Sequence, residues 1–490
     1  MNNQIKTIGI VGAGTAGLIA GLILKTRFPH FQIDIIASED ISTVGVGEGS
    51  TEHFKEFMEF VGISQYDLIR NTDATYKIGI MFKDWGTNDY LHSVQLPYND
   101  KAAQYSYVYA KLIADKENPR TSSSEVYWQN LINLWFLNKE DQYPANQFHF
   151  NTEKLGNYLK TIAESKGINF INDEIKKVQT ADNLNITSLT GVSSNYAYDF
   201  YIDCTGFKRL LINSLGAKYK SCSNVLKMNS AITFQTEDTE NYNVWTVAKA
   251  MDAGWLFRIP VWGRYGNGYI FDDNYIDYET ANLEVNNLFG KEIEIGKKFK
   301  FDPGYLDRPW IGNCCAMGLC GSFFEPLEAT SIATTIQQSF LLMHKLINYD
   351  QNIVNDYNKS FENIMLNIRD FIALHYISNK KDSKFWKDLY MNPIMCGILE
   401  EKLHIWKNKL PISEDFSIYS DYALFKEDSF IMVMQGLDLF NSSSIRAEYE
   451  SLPEVVKQDA ENKLYDQQTF IERIKCISHK DFLRIIRSLY

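Results

Sequence analysis

Lys77 interrupts an apolar run, "TYKIGI" within "TDATYKIGIMFKDWG" (72–86), that otherwise reads as a buried β-strand. A lysine in such a place is either a stem whose head snorkels to water or a buried donor. Burial lowers its pKa toward that of a nucleophilic amine. A second group with chemistry is Glu328 in "PLEATS" (326–331), at the start of a helix expected from about Leu327 to Leu346. The helix dipole favours a carboxylate in that first turn, and the free amides beside it suit an anion. The third is the glycine series of "GAGTAG", Gly12, Gly14 and Gly17, with Thr15 and Ala16 between them. Gly12 permits a tight turn, Gly14 lets the backbone approach a pyrophosphate, and Gly17 lets a helix pack on a strand.

The elements that must hold these groups follow from the flanking sequence. "KTIGIVGAGTAGLIAGLILKTRFPHFQIDIIASED" runs as strand, glycine turn, helix and second strand, a βαβ unit built for a dinucleotide. The acid expected roughly 20 residues on, for a ribose hydroxyl, is replaced by Ala37, which leaves Ser38 or Glu39 to substitute. "YDFYIDCTGFKRLL" (198–211) is another strand ending in a Thr-Gly turn, and returns the chain to the nucleotide sheet as FAD proteins do. Residues from about 90 to 150 then form an aromatic-rich insertion over the substrate side. From about Leu341 apolar residues recur at helical spacing, as in "FENIMLNIRDFIALHYI". The expected fold is α/β: an FAD/NAD(P)-binding Rossmann-type core over 1–340, and a mainly helical region over 341–490 that completes the substrate pocket.

Composition excludes other classes. The 61 Asp and Glu outnumber 49 Lys and Arg, so a net charge of -12 repels nucleic acid and anionic membranes. Phe, Tyr and Trp make up 14% of the chain, which suits a flat ligand. The seven cysteines form no CxxC pair, so a reducing compartment with buried thiols is expected and no metal site is. "IGIVGAGTAGLIAGLIL" (8–24) lacks the basic flank and cleavage site of a signal peptide. A soluble, cytoplasmic protein is the expectation. The eight histidines are scattered without HxxxH or a nucleophile elbow, and His344 and His375 read as packing residues.

Five segments now stand in one order: "GAGTAG", "GVGEGST" (45–51), "TYKIGI", "GWLFRIP" (254–260) and "GLCGSFFEPLEATSI" (318–332). Together they resemble the flavin-dependent tryptophan halogenase family, with its glycine-rich FAD turn, GEx(T) flavin strap, isolated lysine, WxWxIP and PLES helix start. "IRDFIALHY…KDSKFW" (368–386) is similar to the family's later helices. The resemblance implies that reduced FAD and oxygen oxidise a halide (chloride, bromide or iodide) to hypohalous acid. It further implies that Lys77 passes the electrophilic halogen to an arene, and that Glu328 orients the donor and takes up the ring proton. By the same resemblance Glu48, Gly49, Leu319 and Ile332 touch FAD, Ile175 lines the adenine, and the amides of Thr330 and Ser331 hold halide. Trp255, Phe257 and Pro260 wall the passage between flavin and lysine.

Three positions depart from the family pattern: Phe257 for its second tryptophan, Ala329 for its serine and Ser331 for its glycine. They bear on halide preference. Past about 390 there is no match to the family's tryptophan-binding residues, which points to another indole, a phenol or a similar electron-rich arene. With no second dinucleotide fingerprint in the chain, a separate reductase must supply reduced FAD. The resemblance is compatible with a homo-oligomer. Three rivals remain at this level: an FAD-dependent aromatic hydroxylase, a non-enzymatic FAD-binding module, and an RNA-modifying flavoprotein, the last opposed by the acidic charge.

Overall fold

The computed structural model describes residues 5–39, 48–93, 106–115, 147–182, 184–419, 421–473 and 478–488. The expected insertion at about 90–150 lies largely outside them, as do residues 45–47 of the strap.

The glycine-rich segment forms the βαβ unit that its pattern predicts. Strand Thr7–Val11 leads through the turn into helix Thr15–Arg27, and strand Gln32–Ala37 lies parallel beside the first. The helix is apolar all round, and every residue from Gly17 to Leu24 is buried between neighbouring elements. Strand Phe200–Asp203 pairs in parallel on the other side of Thr7–Val11, with Ile8 opposite Phe200, so the chain does return to this sheet. Six strands make up the sheet, and Trp310–Ile311 runs antiparallel at one edge.

Asp203 locks this return. Its buried carboxylate accepts hydrogen bonds from the amides of Leu211 (2.8 Å), Ile212 (2.9 Å) and Thr205 (3.1 Å), and from the Thr205 hydroxyl (2.7 Å). Asp203→Ala orphans at least two buried donors, and we expect it to cost roughly 2–5 kcal/mol. Denaturant unfolding reads that loss. A change within error would mean that water replaces the carboxylate.

A seven-stranded, mostly antiparallel sheet forms the second layer, and it carries strands Gly79–Lys83 and Tyr90–Ser93 at one edge and Gly254–Val261 in its interior. Pro260 is tolerated in that interior strand because the neighbour Thr246–Met251 pairs only with Gly254 to Arg258. From Thr330 onward the described regular structure is helical, including the 25-residue helix Gln351–His375. Among the described residues no helix is long and apolar enough to cross a membrane. None of their His, Cys, Asp and Glu residues gather into a group of three that could hold a metal ion.

Candidate active site

The glycine turn fits a dinucleotide for steric reasons. Gly12 has φ +113°, and a Cβ there would stand 2.3 Å from the carbonyl oxygen of Cys204. A Cβ on Gly17 would lie 2.1 Å from the Gly12 carbonyl oxygen, so only glycine lets this turn close onto its helix. Helix Thr15–Arg27 begins at Gly14 without a side-chain cap, which leaves its first amides available to phosphate oxygens. Ser38 follows the end of the second strand, and the Glu39 amide donates to Asn172 (3.2 Å). Ile175 packs with Val11 and Ile36 at the carboxyl ends of the two strands, the side where a nucleotide lies. The short helix holding Leu319 rests on the first turn of helix Thr15–Arg27: a Cβ on Gly318 would be 2.5 Å from that of Ala16.

The strap crosses from this half to the lysine. Glu48 pairs with Arg264 across 2.5 Å, and its carbonyl accepts the Phe150 amide at 2.9 Å. Gly49 bridges to His149, and a Cβ on it would sit 3.7 Å from the Cβ of Ala329. One residue later the carbonyl of Ser50 receives the Lys77 ammonium at 2.6 Å. Lys77 ends the short strand Thr75–Lys77, opposite Gln147, and is 1% exposed. The strand is fastened at its other end by the Thr75 hydroxyl, which donates to the Pro260 carbonyl (2.7 Å). Burial brings the Lys77 pKa down to about 8, against the opposing pull of Glu328 and Glu52. The head does not snorkel to water.

Glu328 lies 4% exposed between two histidines. His92 Nδ1 is 2.9 Å from Oε2, and His375 Nε2 is 3.0 Å from Oε1. Burial raises the pKa of this carboxyl, but His92 and His375, by proximity and hydrogen bonding, outweigh it and leave the value at about 2. A carboxylate held so firmly ionised is a weak base, so its orienting role is better supported than the proton uptake that the sequence suggested. His375 does pack, against Phe82 and Phe371, yet it also grips Glu328, which the sequence did not disclose. His92 sits in no recognisable motif, and its only signal was its place near the end of an edge strand. His375 lies within 368–386, the segment similar to the family's later helices, at the end of a long helix.

The helix expected to begin at about Leu327 begins at Thr330, because Ala329 takes the left-handed conformation (φ 54°, ψ 34°) and separates it from the turn Pro326–Glu328. Its start has no side-chain cap, so the amides of Thr330 and Ser331 face no helical acceptor, and Ile332 follows in the same turn. Trp255 and Phe257 share one face of their strand, with ring centroids 6.2 Å apart. The indole N–H of Trp255 donates to Glu325 (3.1 Å), a buried acid whose pKa burial pushes up to about 7. Tyr376 donates to the same oxygen. Glu325 and Tyr376 were not anticipated.

Residues 7–448 match the family model described as tryptophan halogenase. The tryptophan 6-halogenase SttH of Streptomyces toxytricini is 28% identical over 456 residues, covering 84% of this chain and 85% of that one. The 7-chloro-L-tryptophan 6-halogenase KtzR of a Kutzneria species is 27% identical over 470 residues, 87% of this chain and 89% of that one. A tryptophan halogenase structure from Shewanella frigidimarina superposes with a TM-score of 0.86 at 24% identity, covering 99% and 98% of the two chains. With the glycine turn, the strap and the buried lysine in one fold, the chain belongs to the tryptophan halogenase family.

Proposed function

We propose that the protein is a flavin-dependent halogenase in which Lys77, as an ammonium, steers electrophilic halogen onto an electron-rich indole or phenol. The family uses FAD and halide, acts on aromatic substrates and draws on a separate flavin reductase. Bound reduced FAD supplies, with oxygen, the oxidising power that converts halide to hypohalous acid. The chain's own residues do the rest. The amides of Thr330 and Ser331 attract the halide, Trp255 and Phe257 exclude water from the passage, and Lys77 donates a hydrogen bond to the halogen carrier. Glu328 and Glu52 keep that ammonium charged. The single observation that carries this reading is Lys77 itself, buried, tied to the strap carbonyl and within the field of the Glu328 carboxylate.

The test is an assay with reduced FAD, oxygen, each halide in turn and a panel of indoles and phenols, read by mass spectrometry. Halogenated product is expected only with halide present. Hydroxylated product without halide would replace this reading with that of a monooxygenase.

Bromide is expected to outcompete chloride at equal concentration. Heavier halides are less hydrated and more easily oxidised, so they need less from the halide site. Ala329 removes a hydroxyl that, in the family pattern, stands beside the donating amides. Ser331 replaces the glycine of the family pattern, but it lies inside the helix, and the left-handed residue is Ala329. The effect should therefore follow Ala329→Ser and not Ser331→Gly. A chlorinated product in excess from the unaltered protein would refute it.

A further inference from the structure

We propose that His92, oriented by Glu328, is the base that removes the ring proton after halogen transfer. The inference rests on the halogenase reading above and concerns how that reaction finishes. His92 Nδ1 faces the Glu328 carboxylate at 2.9 Å, while its Nε2 is buried with no hydrogen-bond partner among the described residues. A carboxylate accepts and does not donate when ionised, so Nδ1 carries the proton. An orphaned buried N–H is rarer than an under-used acceptor, so Nε2 holds a bare lone pair. This is the arrangement in which an acid fixes the tautomer of a histidine that acts as a base at its far nitrogen.

His375 explains why Glu328 stays ionised. Its Nδ1 lies 2.8 Å from the Phe371 carbonyl oxygen and its Nε2 lies 3.0 Å from Glu328. His375 thus spans the Phe371 carbonyl and Glu328 Oε1 while His92 takes Oε2, so both oxygens of Glu328 are engaged. Lys77 and Tyr90 are the other titratable groups that feel its charge. Each carboxylate oxygen is thus committed, and the free base in this cluster is His92 Nε2.

The surroundings suit an arene. His92 packs on Phe371 (5.2 Å) and Phe425 (6.2 Å), two aromatic faces beside its ring. Its sequence neighbour Ser93 lines a cavity of about 260 Å³ with Glu52, Leu424, Lys426 and Asp428, a pocket that His92 itself does not line. In the step proposed, the ring carbon bears both hydrogen and halogen. Its C–H bond breaks, the electron pair returns to the ring, and the proton goes to Nε2. His92 becomes an imidazolium whose Nδ1–H already points at Glu328. Lys77 protonates the hydroxide that leaves hypohalous acid as water, so one proton given and one received restore the site's charge.

His92→Asn keeps a donor toward Glu328 and deletes the base. With bromide, reduced FAD and indole, turnover should fall roughly 10²-fold, the scale of general base catalysis. Indole deuterated at C3 should then react more slowly than indole, a primary isotope effect absent from the unaltered enzyme. Hypobromite trapped by monochlorodimedone should be undiminished. An unchanged rate, or a slow rate without isotope sensitivity, overturns the proposal. Nitrogen NMR of the unaltered protein with ¹⁵N-labelled histidine needs neither turnover nor a folded variant. One ring should show a protonated Nδ1 and a bare Nε2; no such ring also overturns it. An unaltered enzyme that halogenates no arene would sink the functional reading instead, and the tautomer would still decide whether the dyad exists.

Discussion

Lys77→Ala is expected to reduce arene halogenation to background while FAD binding and halide oxidation continue. Among the described residues the lysine head hydrogen-bonds to the Ser50 carbonyl, and not to the turn from Gly12 to Gly17 or the start of the Thr330 helix, the residues that fit the dinucleotide. The variant should therefore release hypohalous acid to solvent, where monochlorodimedone captures it. Lys77→Arg should not rescue transfer, because a planar guanidinium cannot fill the volume of a compact ammonium that is 1% exposed. Arene product at the unaltered rate from Lys77→Ala would end the relay hypothesis.

The same residue predicts a pH dependence. With a pKa brought down to about 8, Lys77 is mostly an ammonium at neutral pH and mostly a neutral amine well above 8. As a hydrogen-bond donor it should lose activity as pH rises through about 8. A transfer rate that climbs over that interval would assign the lysine to a covalent haloamine route, which requires the neutral amine. Flavin oxidation measured alongside separates this effect from changes in the first half of the reaction.

Glu328→Gln should lower turnover roughly 10²-fold or more, because it removes the anion that orients the histidine base. The substitution preserves shape but removes the anion that two imidazoles hold, and it sets an amide donor against a ring N–H of His92 or His375. Lys77 loses the larger of the two carboxylate charges that sustain its ammonium, so its pKa falls further and the fall in activity with pH should begin earlier. Stability responds too. The carboxyl is ionised more readily in the folded chain (about 2) than at its ordinary value of 4.5. Its stabilising contribution is thus complete above about 4.5 and fades as pH falls toward 2. Preserved turnover with only a lowered melting temperature would reduce Glu328 to a helix-start residue.

The glycine turn was legible in the sequence because its constraint is local: Gly12 and Gly17 are dictated by contacts that any side chain would violate. The parallel return at Phe200–Asp203 was legible for a similar reason, an apolar run closed by a Thr-Gly turn. Lys77 was visible as a cation in an apolar strand, and the order of five motifs carried the resemblance that implies its chemistry. What surrounds it was not visible. Ser50 reaches Lys77 across 27 positions, His375 reaches Glu328 across 47, and His92 reaches it across 236. No periodicity or spacing encodes such pairs, since each depends on how an edge strand, a strap and a helix end meet in the fold. Nor could the sequence set the protonation of the cluster. Glu328 and Glu325 stand three residues apart in one short motif, yet hydrogen-bonded histidines hold the first near 2 while burial lifts the second to about 7. The sequence by itself determined the family and singled out Lys77 as the candidate; only the tertiary structure decided which neighbours set the charge of each group, because charge depends on desolvation and distance.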